Sequence, residues 1–125
     1  MWELTKSFRF EAAHAIAGTT LGATSEEIHG HSYRAEVALR GLPDPRTGML
    51  MDLGHFERAL EGARDGLDHR FLDELNDLGP ATMENLSAWI WRKLEPVCPN
   101  LWRVTVRRDS DGGACTYFGR EAAAA

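Results

Sequence analysis

Hydrophobic and polar residues alternate from the start of the chain. Trp2, Leu4, Phe8, Phe10 and Ala12 fall on even positions of the segment that ends at His14, a period of two that predicts a half-buried strand with His14 on its buried face. From His29 to Leu39 the odd positions hold His29, His31, Tyr33, Ala35, Val37 and Leu39, with Arg34, Glu36 and Arg40 interleaved. This predicts a second strand with both histidines on the apolar side. The connection between them, residues 15–28, is rich in Gly, Thr and Ser, and a long irregular connection in a small protein is disproportionately functional.

After the turn residues Gly41 to Gly48 the period changes to three and four. Leu53, Phe56, Leu60, Ala63 and Leu67 form one stripe of a helix with Asp52 as N-cap. Leu67 to Leu72 closes that helix and begins the link to the next. Gly79-Pro80-Ala81-Thr82 opens a second helix with Thr82 as cap, its stripe marked by Leu86, Ile90, Lys93 or Leu94, and Val97. Trp89 and Trp91 flank the stripe as packing or subunit-contact residues. Trp102, Val104 and Val106 predict a third strand, Asp111-Gly112-Gly113 a hairpin turn, and Ala114 to Phe118 a fourth strand. The order ββααββ predicts an α+β fold, a four-stranded antiparallel sheet with two helices on one face. Its free edges suggest assembly with copies of itself.

Composition narrows the function classes. At 125 residues the chain is expected to form one domain with a real core. A net charge of −5 argues against nucleic-acid or membrane binding through bulk electrostatics. No stretch approaches the roughly 20 apolar residues of a membrane span, and no N-terminal apolar run resembles a signal peptide, so a cytoplasmic location is expected. Cys98 and Cys115 lack neighbours at metal-site or redox spacing and read as ordinary thiols.

The candidate chemistry lies in the histidines. His29 and His31 share a strand face on either side of Gly30, and His14 offers a third imidazole. Three histidines and an open position are the ligand set of a catalytic zinc ion, whereas a structural zinc takes four protein ligands. The plainer alternative is three histidines serving ordinary hydrogen-bond networks. The adjacent Asp68 and His69 read either as a helix-terminal histidine or as a proton-transfer pair.

Phe10-Glu11-Ala12-Ala13-His14, His29-Gly30-His31-Ser32-Tyr33, Gly48-Met49-Leu50-Met51-Asp52-Leu53, Leu67-Asp68-His69 and Thr82-Met83-Glu84-Asn85-Leu86 together resemble, in order, the motifs of the 6-pyruvoyltetrahydropterin synthase and 6-carboxytetrahydropterin synthase family. The resemblance covers nearly the whole chain. It implies a single tunnelling-fold (T-fold) domain over residues 1–120, with 121–125 as a short tail, and a homo-oligomer built as a hexamer of two trimers. It implies Zn2+ on His14, His29 and His31 and a reduced pterin substrate, above all 7,8-dihydroneopterin triphosphate, nearest to the 6-carboxytetrahydropterin branch that feeds deazapurine biosynthesis. Asp68 and His69 resemble two members of the family's proton-transfer triad. Thr82, Met83 and Glu84 match the stretch that lines the pterin pocket.

Two positions depart from the family pattern. Ser25 stands where the family has its catalytic cysteine, and a serine hydroxyl is a poor substitute for a thiolate. Glu26 and Glu27 lie beside it, and some relatives use a glutamate in this loop to cleave dihydroneopterin. The family's pterin-anchoring glutamate aligns with Asp109, shorter by one methylene or roughly 1.5 Å. If the hairpin differs by one residue, Arg108 takes that place instead. The alternative function is therefore a catalytically altered relative that uses a loop glutamate, or one that binds a pterin or purine without turnover. A purely structural zinc domain would need a fourth ligand, which no motif supplies.

Overall fold

The structure, a computed structural model, describes residues 1–15 and 27–119. Two long strands, β1 (Trp2–His14) and β2 (His29–Gly41), run antiparallel along their whole length, with Trp2 opposite Gly41 and His14 opposite His29. Helix α1 (Leu53–Asp65) follows, then a two-residue strand β3 (Arg70–Phe71), a 3-10 turn at Leu72–Glu74 and helix α2 (Met83–Leu94). Strands β4 (Leu101–Arg108) and β5 (Gly113–Tyr117) close the fold as a hairpin. The sheet order is β3-β1-β2-β4-β5.

The α+β class and both helices match the sequence reading, but the sheet does not. It has five strands and is mixed, because Arg70 and Phe71 pair in parallel with Ala12 and Ala13. Two residues carry no periodicity to read. Their position comes from two long-range hydrogen bonds just before them. The Asp68 carboxylate accepts the Glu11 N–H at 2.9 Å, and the His69 N–H donates to the Glu11 carbonyl at 2.6 Å.

Both helix starts are capped by the predicted residues. Asp52 Oδ2 accepts the His55 N–H at 3.0 Å, and Thr82 Oγ1 accepts the Asn85 N–H at 3.2 Å. The stripe of α1 presents Phe56, Leu60 and Ala63 to the sheet, while Leu53 remains exposed at the helix start. In α2 the stripe runs through Leu86, Ile90 and Leu94. Leu94 rather than Lys93 fills the last position, and Val97 lies past the helix end and is exposed. Cys98 takes up that part of the core, where burial raises its thiol pKa.

Trp89 and Trp91 are both buried, so they serve packing. Each indole N–H has an acceptor, Asp77 for Trp89 and Glu95 for Trp91. Phe10, Tyr33, Val37, Leu39, Val104 and Val106 supply the sheet's half of the core. Its opposite face carries charges. Arg103 bridges Glu3 and Glu36, Arg107 pairs with Glu36, and Arg34 pairs with Asp109. Among the described residues no helix is long and apolar enough to cross a membrane.

Phe56 has no exposed surface and lies where α1 meets the sheet, so Phe56→Ala should cost about 3–5 kcal/mol in urea denaturation. Asp52→Ala, which removes only a cap, should cost about 1 kcal/mol by the same measurement.

Candidate metal centre

The β1–β2 register brings the three histidines together. His14 and His29 are cross-strand partners, and His31 lies opposite Ala12 on the same ladder. All three rings therefore emerge on the core side at one end of the sheet. Ring centroids are 4.5 Å apart for His14 and His29 and 4.9 Å for each other pair, and the rings stand edge to face. Their candidate ligand nitrogens lie within 4.8 Å of one another.

Hydrogen bonds assign the free nitrogens. Carbonyl oxygens only accept, so the 2.8 Å contact of His14 Nδ1 with the Ala81 carbonyl puts a proton on that nitrogen. The 2.7 Å contact of His29 Nδ1 with the Glu27 carbonyl does the same. In the neutral rings both Nε2 atoms then carry lone pairs, yet they face each other at 2.9 Å. His31 Nε2 also acts as an acceptor, with a guanidinium nitrogen of Arg108 at 3.4 Å. The His14 and His29 lone pairs repel at this distance unless a cation stands between them, and the His31 nitrogen, now engaged by Arg108, lies close enough to join them. Nitrogens bound to tetrahedral zinc sit about 3.3 Å apart, so the rings need to move only slightly to hold one. The Ala81 and Glu27 carbonyls orient His14 and His29 as outer-shell partners commonly do for metal-bound imidazoles.

Burial holds the His14 pKa below the ordinary value, and the charges of His29 and Arg108 act the same way against the Ala81 carbonyl and Asp73. For His31 burial again comes first, followed by Arg108 and the other two rings. Both shifts favour the neutral imidazoles that a metal requires.

His69 does not join the three imidazoles. With Glu11, Ser32 and Phe71 it lines an open cavity of about 530 Å³ on the opposite face of the β1–β2 ladder, which His31 also borders. Its backbone has a left-handed φ of 58°, the single such non-glycine among the described residues, and its side chain is 80% exposed. Asp68 Oδ2 lies 3.6 Å from His69 Nδ1, an ion-pair distance rather than a hydrogen bond, and 3.2 Å from Arg64. The Glu11 N–H foremost, with His69 and Arg64, keeps the Asp68 carboxyl below its usual range.

The remaining sequence-derived candidates divide. Ser25 and Glu26 lie outside the described residues. Glu27 is exposed, and its backbone carbonyl rather than its carboxylate meets the histidines. The stretch from Ala81 to Glu84 lies directly behind His14. Within it the Thr82 hydroxyl is engaged in capping, Met83 packs against the core, and Glu84 is exposed. Asp109 does not join the histidines. Its carboxylate receives two hydrogen bonds from Arg34, at 3.0 and 3.2 Å, on the face of β2 opposite His31.

Arg108, one residue earlier, is the side chain that reaches His31. It continues the inward alternation of Val104 and Val106 along β4, and that period was the available signal for it. Two other groups lie beside it. Tyr33 is buried beneath His31 with its hydroxyl unpartnered among the described residues, its pKa pushed up to about 12 by burial. Asp111 reaches back from the hairpin to Arg108 Nε at 3.2 Å.

A 6-pyruvoyl tetrahydropterin synthase family model matches residues 3–120. The chain belongs to this family. It is 34% identical over 124 residues to a 6-carboxy-5,6,7,8-tetrahydropterin synthase from Synechocystis sp., covering 94% of each chain. It is 36% identical over 98 residues to the Homo sapiens 6-pyruvoyl tetrahydrobiopterin synthase, covering 73% of this chain and 66% of that one. The Caenorhabditis elegans 6-pyruvoyl tetrahydropterin synthase structure superposes with a TM-score of 0.81 at 28% identity, covering 95% of this chain and 96% of that one.

Because His14 and His31 have folded-state pKa values below the unfolded value of about 6.5, the unfolded chain binds more protons in the interval between them. This contribution is full above about pH 6.5 and is lost as the pH falls. The urea midpoint of metal-free protein should drop between pH 7.5 and 5.5, and the drop should shrink in His31→Gln. An unchanged midpoint would show that the rings protonate as readily folded as unfolded. Separately, the left-handed backbone at residue 69 should make His69→Gly about 1 kcal/mol more stable than His69→Ala.

Proposed function

We propose that this chain is a zinc-dependent pterin side-chain lyase or synthase acting on 7,8-dihydroneopterin triphosphate or a related reduced pterin. Its relatives are named as synthases, and it is an enzyme of the tetrahydropterin synthase family. The observation that carries the finer reading is the convergence of three imidazole nitrogens within 4.8 Å of one another, two of them with their other ring nitrogen held by a backbone carbonyl.

Zinc on His14, His29 and His31 supplies Lewis acidity toward the hydroxyls of the substrate side chain. The protein's own groups handle binding and protons. His69 moves protons at the side-chain carbons, since an imidazole can act as both acid and base. Asp68, kept ionised by its hydrogen bond from Glu11, supports the protonated imidazole. The backbone of Thr82 and Met83 and the Glu84 carboxylate line the ring's pocket. The loop bearing Ser25, Glu26 and Glu27 supplies the remaining base.

A second reading is a relative with altered catalysis, one that cleaves dihydroneopterin with a loop glutamate or binds a pterin or purine without turnover. The engagement of Asp109 by Arg34 favours it, because that carboxylate is withdrawn from the histidines. In either case residues 1–120 act as one T-fold domain, with 121–125 as a tail. The edges at β3 and β5, unpaired among the described residues, support joining of sheets between copies into a cytoplasmic hexamer of two trimers.

Purified protein should retain zinc through dialysis and convert 7,8-dihydroneopterin triphosphate with release of triphosphate, followed by chromatography. His29→Ala should lose both metal and turnover. His69→Gln should keep the metal while kcat falls about 10²- to 10⁴-fold. Zinc-loaded protein that leaves both dihydroneopterin triphosphate and dihydroneopterin unchanged over hours would reject the lyase in favour of binding alone.

A further inference from the structure

We infer that Arg108 makes this centre selective for ligands that carry a carboxylate beside the histidines, an inference that rests on the metal-site reading above and names the chemistry its ligand must present. On β4 the buried Val104 and Val106 precede Arg108 at steps of two, so its side chain emerges on the histidine side. Its cross-strand partner is Gly113, which has no side chain to cover it. The guanidinium lies 3.4 Å from His31 Nε2. Arg108 Nε is buried without a hydrogen-bond partner among the described residues, since Asp111 at 3.2 Å is an ion pair without hydrogen-bond geometry. Tyr33, only 2% exposed, leaves its hydroxyl equally unpartnered beneath His31.

A guanidinium has five N–H donors and no acceptor. It cannot receive the amino and ring N–H edge of a heterocycle, which a carboxylate would accept, and its fork matches an oxyanion. Charge points the same way. A divalent cation on the histidines and the guanidinium beside it carry three positive charges, of which Asp111 beside Arg108 and Asp73 near His14 offset two. An anionic ligand group completes the balance.

Zinc-loaded protein is titrated calorimetrically with 6-carboxypterin and with 6-hydroxymethylpterin, which share a ring and differ in the carboxylate. Wild type should prefer 6-carboxypterin by at least about tenfold, the discrimination expected of a charge-assisted hydrogen bond. Arg108→Gln should bring the ratio close to one, and Arg108→Lys, which keeps the charge without the fork, should retain part of it. Thermal melts establish that both variants fold. In the absence of ligand, Arg108→Gln should bind zinc more tightly than wild type, because a neighbouring positive charge is gone.

Equal binding of the two pterins by wild type, or the same preference in Arg108→Gln, overturns the inference and leaves the pterin reading intact. If neither pterin binds, the pterin reading fails, and oxalate decides the inference. Oxalate binding that weakens in Arg108→Gln supports it, whereas absent or unchanged binding overturns it.

Discussion

The site depends on the register of one strand pair. Along the β1–β2 ladder His14 meets His29 and Ala12 meets His31, so three imidazoles converge because two strands pair in one alignment. A slip of one residue would send His29 and His31 to the opposite, charged face. Core packing enforces the alignment. Phe10 stacks on Tyr33 with centroids 4.9 Å apart, and Leu4 faces Leu39. On the other face the Ser32 hydroxyl donates to Glu11 at 2.6 Å, and Arg40 donates to Glu3 at 2.9 Å. The contacts that bury the sheet also bring the three imidazoles together.

The neighbouring elements complete the arrangement through backbone groups as much as side chains. The residue just ahead of the α2 cap offers its carbonyl to His14, which couples the helix start to the orientation of the buried ring. Glu11 near the end of β1 is held twice, by the Asp68 carboxylate and the His69 backbone, and His69 has a left-handed conformation at this grip. Backbone strain of this kind persists where the surrounding structure over-determines it, often at functional positions. Asp68 therefore has two tasks, since the carboxylate that faces His69 also anchors the loop to the strand.

The electrostatic character of the centre comes from one position in the last hairpin. Alternation along β4 turns Arg108 inward and Asp109 outward, and the two make opposite contacts, Arg108 with His31 and Asp109 with Arg34. A site that would otherwise receive a carboxylate from this strand receives a donor instead. The charge beside the histidines is thus set by a single step of the pleat.

Much of this was readable from the chain alone. The period-two runs marked the two long strands and put His14, His29 and His31 on their apolar sides. The period of the stripes and the Asp52 and Thr82 caps marked both helices. These features are local, and a periodicity or a cap needs no partner to be recognised. The parallel β3, the Ala81 carbonyl on His14, the positive φ of His69 and the inward turn of Arg108 were decided by tertiary structure. Each depends on a contact between residues far apart in sequence or on a hairpin register. Two candidates one residue apart, Arg108 and Asp109, have the same local context, and only the pairing of β4 with its neighbours decides which of them faces the three histidines.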